Sequence, residues 1–208
     1  MTMKQLRRLF RRRFLGRRMR DFVGAIGPRG TILDVGGTSY AWRLIGYSGP
    51  VTILNLSVPE ETTTGFEYVE GDGTRLAYSD RHFDTIFSNS VIEHLSTWEQ
   101  QCRFASELRR VGQRLWVQTP ARAFPIEPHY FAPFIHWLPA AWRRRVARWT
   151  PWGIMQRPTP ERIAEMVAEI RLLGRREMKR LFPDCEIRTE RFLGLPKSYI
   201  AVRRETSG

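Results

Sequence analysis

Hydrophobic positions in this chain gather into short runs, each closed by glycine or small polar residues. Ile32, Leu33 and Val35 form the first run around one acid, Asp34, and it stops at Gly36-Gly37. Val51 to Leu56 (VTILNL) is the second, Glu67 to Asp72 (EYVEGD) the third, Phe83 to Asn89 (FDTIFSN) the fourth and Arg114 to Thr119 (RLWVQT) the fifth. Short apolar runs bounded by turn residues predict buried strands. From Glu93 to Arg110 the apolar residues Leu95, Trp98, Cys102, Ala105 and Leu108 recur at helical spacing. Thr159 to Met178 reads as another helix, with Thr159 as N-cap and Pro160 at its first position. Cys185 to Phe192 and Ser198 to Arg203 read as two closing strands joined by residues 193–197.

Strands alternating with helical segments specify an α/β fold: a doubly wound, mostly parallel sheet with helices on both faces. Ligands of such sheets sit beyond the carboxyl ends of the strands. Asp34, Asn55, Asp72 and Asn89 each fall at or just after such an end. The glycine turn between them adds a backbone without Cβ that a ligand can approach closely.

On these residues the chain resembles the class I S-adenosylmethionine-dependent methyltransferases, in particular a small type 11-like bacterial group. ILDVGGTS is similar to the family's first glycine motif, EGDGTRLAYSDRHFD to its acidic loop and the start of strand four, and FSNSVIEHL to its fourth-strand motif. The resemblance covers roughly residues 30–204 and implies a Rossmann-like, seven-stranded sheet with an antiparallel last strand. It implies S-adenosylmethionine as cofactor. Asp34, Gly36, Gly37 and Thr38 would line its amino-acid end, Asn55 would stand at its ribose hydroxyls, and Leu56 would be a further cofactor contact. Gly71, Asp72 and Gly73 would approach the adenine, and Asn89 and Ser90 the methionine moiety. Two positions depart from the pattern: Thr38 follows Gly37 where the family has a further glycine, and Asn55 stands where an acid usually holds the ribose hydroxyls. An amide still bonds a hydroxyl but forgoes the charge-assisted bond, at about 1 kcal/mol.

A sulfonium activates its own methyl group, so transfer needs mainly alignment of the nucleophile, which alone contributes roughly 7–11 kcal/mol. A hydroxyl or amine acceptor also has a proton to lose. His129, in PIEPHY, and His94, in the Glu-His-Leu segment, are the candidate bases, since imidazole titrates near ~6.5. For both, a packing or capping role stands as the competing reading. Glu127 and Tyr130 flank His129 and, with Trp137, are candidate acceptor contacts. No metal is expected, because Glu93-His94 and Glu127-x-His129 do not place ligands on one helix face and no HExxH pattern occurs. Cys102 and Cys185 are expected to be core thiols without a disulfide framework, in keeping with a reducing cytoplasm.

Charge changes the picture at the amino end. Residues 1–20 hold eight arginines and one lysine and no acid. Met3, Leu6, Leu9, Phe10 and Phe14 can share one helical side opposite the arginines. Residues 1–22 are therefore expected to form a basic amphipathic helix suited to an anionic membrane surface. A solvated leader or a cap on the domain is the bland alternative. Residues 23–208 would be the catalytic domain, with an aromatic and arginine-rich acceptor-side insertion at about 121–157. Phe124 to Trp152 holds four of the seven tryptophans. No apolar run reaches the roughly 20 residues of a membrane span.

The leading expectation is a cytoplasmic enzyme, peripheral at the inner membrane surface, that methylates oxygen or nitrogen of a small or amphiphilic acceptor. Net charge +13 keeps a nucleic-acid methyltransferase in view. Against it, SNSV replaces the Asn-Pro-Pro-Tyr type of motif, a Pro-Cys nucleophile is absent, and much of the charge lies in the leader. A binding protein that keeps the fold without turnover is the third reading.

Overall fold

A computed structural model describes residues 3–27 and 30–204, with side chains from Phe14 onward. Met3, Leu6, Leu9 and Phe10, on which the expected apolar face of the leader rests, lie outside the described side chains. The first helix, α1, runs Met3–Ile26. Its last turns bury Met19, Phe22 and Ile26, at the spacing that puts three residues on one helix face.

After α1 come β1 (Ile32–Val35), α2 (Ser39–Leu44), β2 (Val51–Asn55), β3 (Glu67–Glu70) and β4 (Phe83–Asn89), then α3 (Trp98–Val111) and β5 (Gly112–Pro120). The insertion holds two short strands, β6 (Ile126–Glu127) and β7 (Ala132–Pro133), and helices α4 (Ala140–Val146) and α5 (Pro151–Gln156). Then follow α6 (Pro160–Glu169), α7 (Arg175–Leu181), β8 (Glu186–Phe192) and β9 (Leu195–Arg203). The main sheet has seven strands in the order β3-β2-β1-β4-β5-β9-β8, mostly parallel with antiparallel end strands, as expected from the sequence. Leu193 and Gly194, both at positive φ (49° and 79°), form the two-residue turn that folds β8 back into β9. That is the turn geometry matched to strand twist, and it shortens the expected five-residue link.

Two helix boundaries differ from the sequence reading. The helix expected from Glu93 begins only at Trp98, after a separate 3₁₀ turn at Ile92–His94. Thr97 Oγ1 accepts from Gln100 N at 3.1 Å and Gln100 Oε1 accepts from Thr97 N at 3.2 Å, a reciprocal cap that starts the helix there. The helix expected over Thr159 to Met178 is two helices. Thr159 caps α6 as expected, its Oγ1 accepting from Arg162 N at 3.2 Å. At residues 170–174, however, the chain is extended: Leu173 bridges Ala121, and its carbonyl accepts from Arg122 N at 3.0 Å. Glu177 Oε2 then accepts from Gly174 N at 2.7 Å and starts α7.

Contacts divide the chain into two compact units. The first comprises Met1–Asn89, Phe104–Val117 and Val202–Gly208; the second, Ser90–Arg103 and Gln118–Ala201. Phe22 centres the aromatic core of the first, edge-on to Phe87 at 4.9 Å and to Trp42 and Trp116 at 5.8 Å each. The core of the second gathers Tyr130, Ala132, Ile135 and Ala147 of the insertion with Ile163, Met166, Val167, Ile170 and Leu172. Cys185 is buried and Cys102 half-buried, both as free thiols.

Candidate functional site

Register aligns the strand ends of the first unit. Val35 pairs with Leu54, Asn55 with Glu70 and Asp34 with Phe87, all in parallel, so Gly36, Asn55, Gly71 and Asn89 follow on one edge of the sheet. The glycine turn is held from both strands: Gly36 N donates to Leu54 O at 2.8 Å, and Asn55 Nδ2 donates to Gly37 O at 3.2 Å. Gly36 sits at φ 75°, a conformation natural to glycine. Asn55 thus ties the turn through its side-chain amide, and its backbone carbonyl accepts from Gly71 N at 2.8 Å.

Asp34 is fully buried, and its Oδ2 accepts from Trp42 Nε1 at 2.7 Å. A Cβ on Gly37 would collide with that carboxylate, so Gly37 lies directly against it. Burial raises the Asp34 pKa to about 7, opposed by the Trp42 hydrogen bond. Its Oδ1 is buried without a hydrogen-bond partner among the described residues. Asp34, expected at the amino-acid end of the cofactor, is thus buried beneath the turn. It props the turn from below and carries a charge that a cation above the turn would favour.

The remaining residues of this edge are more open. Leu56 is 79% exposed. Asp72, also exposed, accepts from Thr74 N at 2.8 Å through Oδ1, which shapes its loop. Gly73 packs where a Cβ would meet Phe104 and Val35, at 2.6 and 2.9 Å. Asn89 Oδ1 receives Arg18 Nη1 at 3.4 Å, so the leader helix reaches a candidate cofactor residue. A glycine cradle that side chains would fill, above a buried unpaired carboxylate oxygen, fits a cationic cofactor with an adenosine moiety.

Ser90 belongs to the second unit. It adopts φ 59° and binds Gln118 twice, N to O and Oγ to Oε1, each at 3.0 Å. Glu127, expected as an acceptor contact, is fully buried. Its Oε2 accepts from the backbone N of His129 and Tyr130 at 2.6 and 2.7 Å, and its Oε1 lies 2.6 Å from His129 Nδ1. Glu127 is thus a positioning residue for His129. Desolvation lowers the His129 pKa, but the Glu127 hydrogen bond and the charges of Glu127 and Glu93 outweigh it, and the net shift is upward. His94 packs edge-on to His129 with ring centroids 4.9 Å apart. Desolvation and then the His129 charge lower its pKa. Glu93, missed as a site residue, is buried beside them, with Oε2 accepting from Thr119 Oγ1 at 2.9 Å. Tyr130 is a core residue at 1% exposure, edge-on to Trp152, and burial pushes its hydroxyl pKa up to about 12.

Trp137 is 53% exposed and donates Nε1–H to Arg122 O at 2.9 Å. It lines a cleft of about 400 Å³ with Arg122, Arg175, Arg176, Glu177 and Tyr199. The insertion also exposes Trp142 (56%), Trp149 (71%) and Ile154 (62%). Arg145 lies over the Trp142 ring at 5.6 Å and Arg148 over Trp149 at 5.2 Å. Sequence reasoning found the tryptophans but not the arginines of the cleft, which are dispersed between Arg122 and Arg176.

Residues 41–114 match the family model described as a methyltransferase domain. No protein of curated function matches the sequence. Among solved structures the chain is similar to a SAM-dependent methyltransferase from Archaeoglobus fulgidus, with 12% identity, TM-score 0.59 and coverage of 92% of this chain and 94% of that one. A Pyrococcus horikoshii protein is comparable, at 15% identity, TM-score 0.58 and coverage of 93% and 90%. The 1,6-didemethyltoxoflavin-N1-methyltransferase of Burkholderia thailandensis, solved with S-adenosylhomocysteine, has 13% identity, TM-score 0.53 and coverage of 92% and 76%. These likenesses show the fold, and the family match spans 74 of the 208 residues. The chain therefore has the fold of S-adenosylmethionine-dependent methyltransferases, and residues 41–114 of it carry a methyltransferase-domain match.

Proposed function

We propose that the protein transfers the methyl group of S-adenosylmethionine to oxygen or nitrogen of a small or amphiphilic acceptor. The alignment of Gly36, Asn55, Gly71 and Asn89 on one sheet edge is the observation that carries the cofactor part. On this reading the Gly36-Gly37-Thr38 backbone holds the amino-acid end above Asp34, and Asn89 lies near the methionine moiety. Asn55 Oδ1 takes a ribose hydroxyl, and Leu56 covers one side. Asp72 and the Gly71 and Gly73 backbone meet the adenine. The cofactor supplies an activated methyl; the protein's part is to align an acceptor. In the second unit, His129 held by Glu127, with His94 beside it, handles the acceptor's proton.

Exposed tryptophans paired with arginines support an acceptor or a surface that is both apolar and anionic. We therefore place the enzyme at the face of an anionic membrane, as a peripheral protein. No helix among the described residues is long and apolar enough to cross one. The test is calorimetry with S-adenosylmethionine and its demethylated product. Binding by wild type, weakened at least tenfold in the exposed-site variant Asp72→Ala, is expected; no binding by folded wild type overturns the cofactor reading.

A further inference from the structure

Glu93, His94 and His129 each present a donor atom, and the three atoms lie within 4.8 Å of one another. They arrive from two segments, the 3₁₀ turn after β4 and the turn between β6 and β7, which is why no local spacing announces them. Two of the three are fixed in place. Thr119 Oγ1 holds the Glu93 carboxylate at 2.9 Å, and the Glu93 carbonyl accepts from Arg171 N at 2.8 Å. Glu127 Oε1 holds His129 through Nδ1, leaving Nε2 as the ring's remaining donor atom. A buried carboxylate that fixes the tautomer of a ligating histidine is the outer arrangement that cation sites require. His94 is exposed, so the third ligand is free to adjust and the site opens to solvent. Bonds of about 2.0–2.2 Å would bring the donors to roughly 3.4 Å from one another, a closing of at most about 1.4 Å from the 4.8 Å within which they lie.

We propose that Glu93, His94 and His129 bind one divalent transition-metal cation, with Glu127 as the outer carboxylate. Two imidazoles and one carboxylate suit cobalt, zinc or manganese better than magnesium, and three protein ligands leave positions open for an acceptor oxygen. The proposal deepens the acceptor-side reading above and rests on it only for a catalytic role. With the cation bound, His129 serves as a ligand, and a coordinated acceptor hydroxyl loses its proton to solvent water.

The test takes the full-length protein, stripped with a chelator, and titrates it with Co²⁺ alone, followed by visible absorbance and calorimetry. One saturating equivalent with a ligand-field band is expected. Affinity should fall at least about tenfold in His94→Gln and in His129→Gln, and stay unchanged in His82→Gln, which lies outside the cluster. His94 is exposed, so its variant remains informative even if His129→Gln perturbs folding. Absence of saturable Co²⁺ uptake by folded wild type overturns the site, as does uptake undiminished in His94→Gln. S-adenosylmethionine titrations on the same samples separate the two readings. Cofactor binding without Co²⁺ uptake sinks the cation site alone, and Co²⁺ uptake without cofactor binding sinks the cofactor reading alone.

Discussion

Glu127 Oε1 lies 2.6 Å from His129 Nδ1, inside a turn whose backbone N–H groups at 129 and 130 are satisfied by the same carboxylate. The carboxylate both orients the ring and stabilises its protonated form, and it outweighs the opposing effect of burial. In the metal-free protein, NMR titration should place the His129 pKa above the ordinary ~6.5 of histidine. Glu127→Gln should lower it while leaving S-adenosylmethionine affinity unchanged. An unaltered titration in that variant would show that Glu127 does not govern the ring.

Asp34 gives the first unit a definite pH dependence. Its pKa is about 7 in the fold against the ordinary 3.8 of an aspartate in the unfolded chain, so between those values the folded chain holds a proton that the unfolded chain has lost. The contribution to stability is fully present below the lower value and disappears as pH rises through the higher one. Denaturant midpoints should therefore fall from pH 4 towards pH 7.5, and Asp34→Asn should flatten that fall while keeping a partner for Trp42. A cationic ligand above the turn favours the ionised acid. S-adenosylmethionine binding should then tighten through pH 6–7.5 and release protons, measured by calorimetry in buffers of different ionisation enthalpy. Equal slopes in wild type and Asp34→Asn would refute this coupling.

Two glycines at the strand ends leave no room for a side chain. A Cβ at Gly37 meets the Asp34 carboxylate, and one at Gly73 meets Phe104 and Val35 in the core. Gly37→Ala and Gly73→Ala should each cost more than about 2 kcal/mol of stability, as overpacking does. Gly24→Ala has open space around its new Cβ and sits in a helix, so it should be neutral or mildly stabilising. Chemical denaturation of the three variants checks the order, and wild-type stability in Gly37→Ala would show that the turn yields.

The sheet was legible because each strand is a compact apolar run; the fourth, Phe83–Asn89, has the bounds read from its sequence. Helix ends were less so, because apolar periodicity continues through Ile170, Leu172 and Leu173 although the backbone there pairs with Ala121 and Arg122. Gly174 followed three residues later by Glu177 was the available sign of a new start. On the candidate site, the strand-end residues were visible as a set, whereas the burial of Asp34 and Tyr130 was not. Glu127 next to His129 was visible as well; Glu93 and His94 facing His129 was not, since only the tertiary fold joins those segments.

The leader and the insertion make separable predictions about membranes. Met19 and Phe22 are fully buried in the first unit, so a deletion that reaches them tests stability and not surface binding. Phe22→Ala alone should cost about 3–5 kcal/mol, as emptying an aromatic site does. Removal of residues 1–13 spares that core and takes away five arginines and a lysine. Each cation near an anionic bilayer contributes about 1 kcal/mol, screened by salt. Sedimentation with phosphatidylserine-containing vesicles should therefore drop sharply on truncation, and on raising salt in the intact chain. Trp142→Ala with Trp149→Ala removes apolar anchors and not charge. It should weaken binding by about fivefold, roughly 1 kcal/mol, and leave the salt slope in place. If neither change alters sedimentation while the truncated protein still binds RNA in a salt-dependent way, the basic surface serves nucleic acid, and the membrane reading fails.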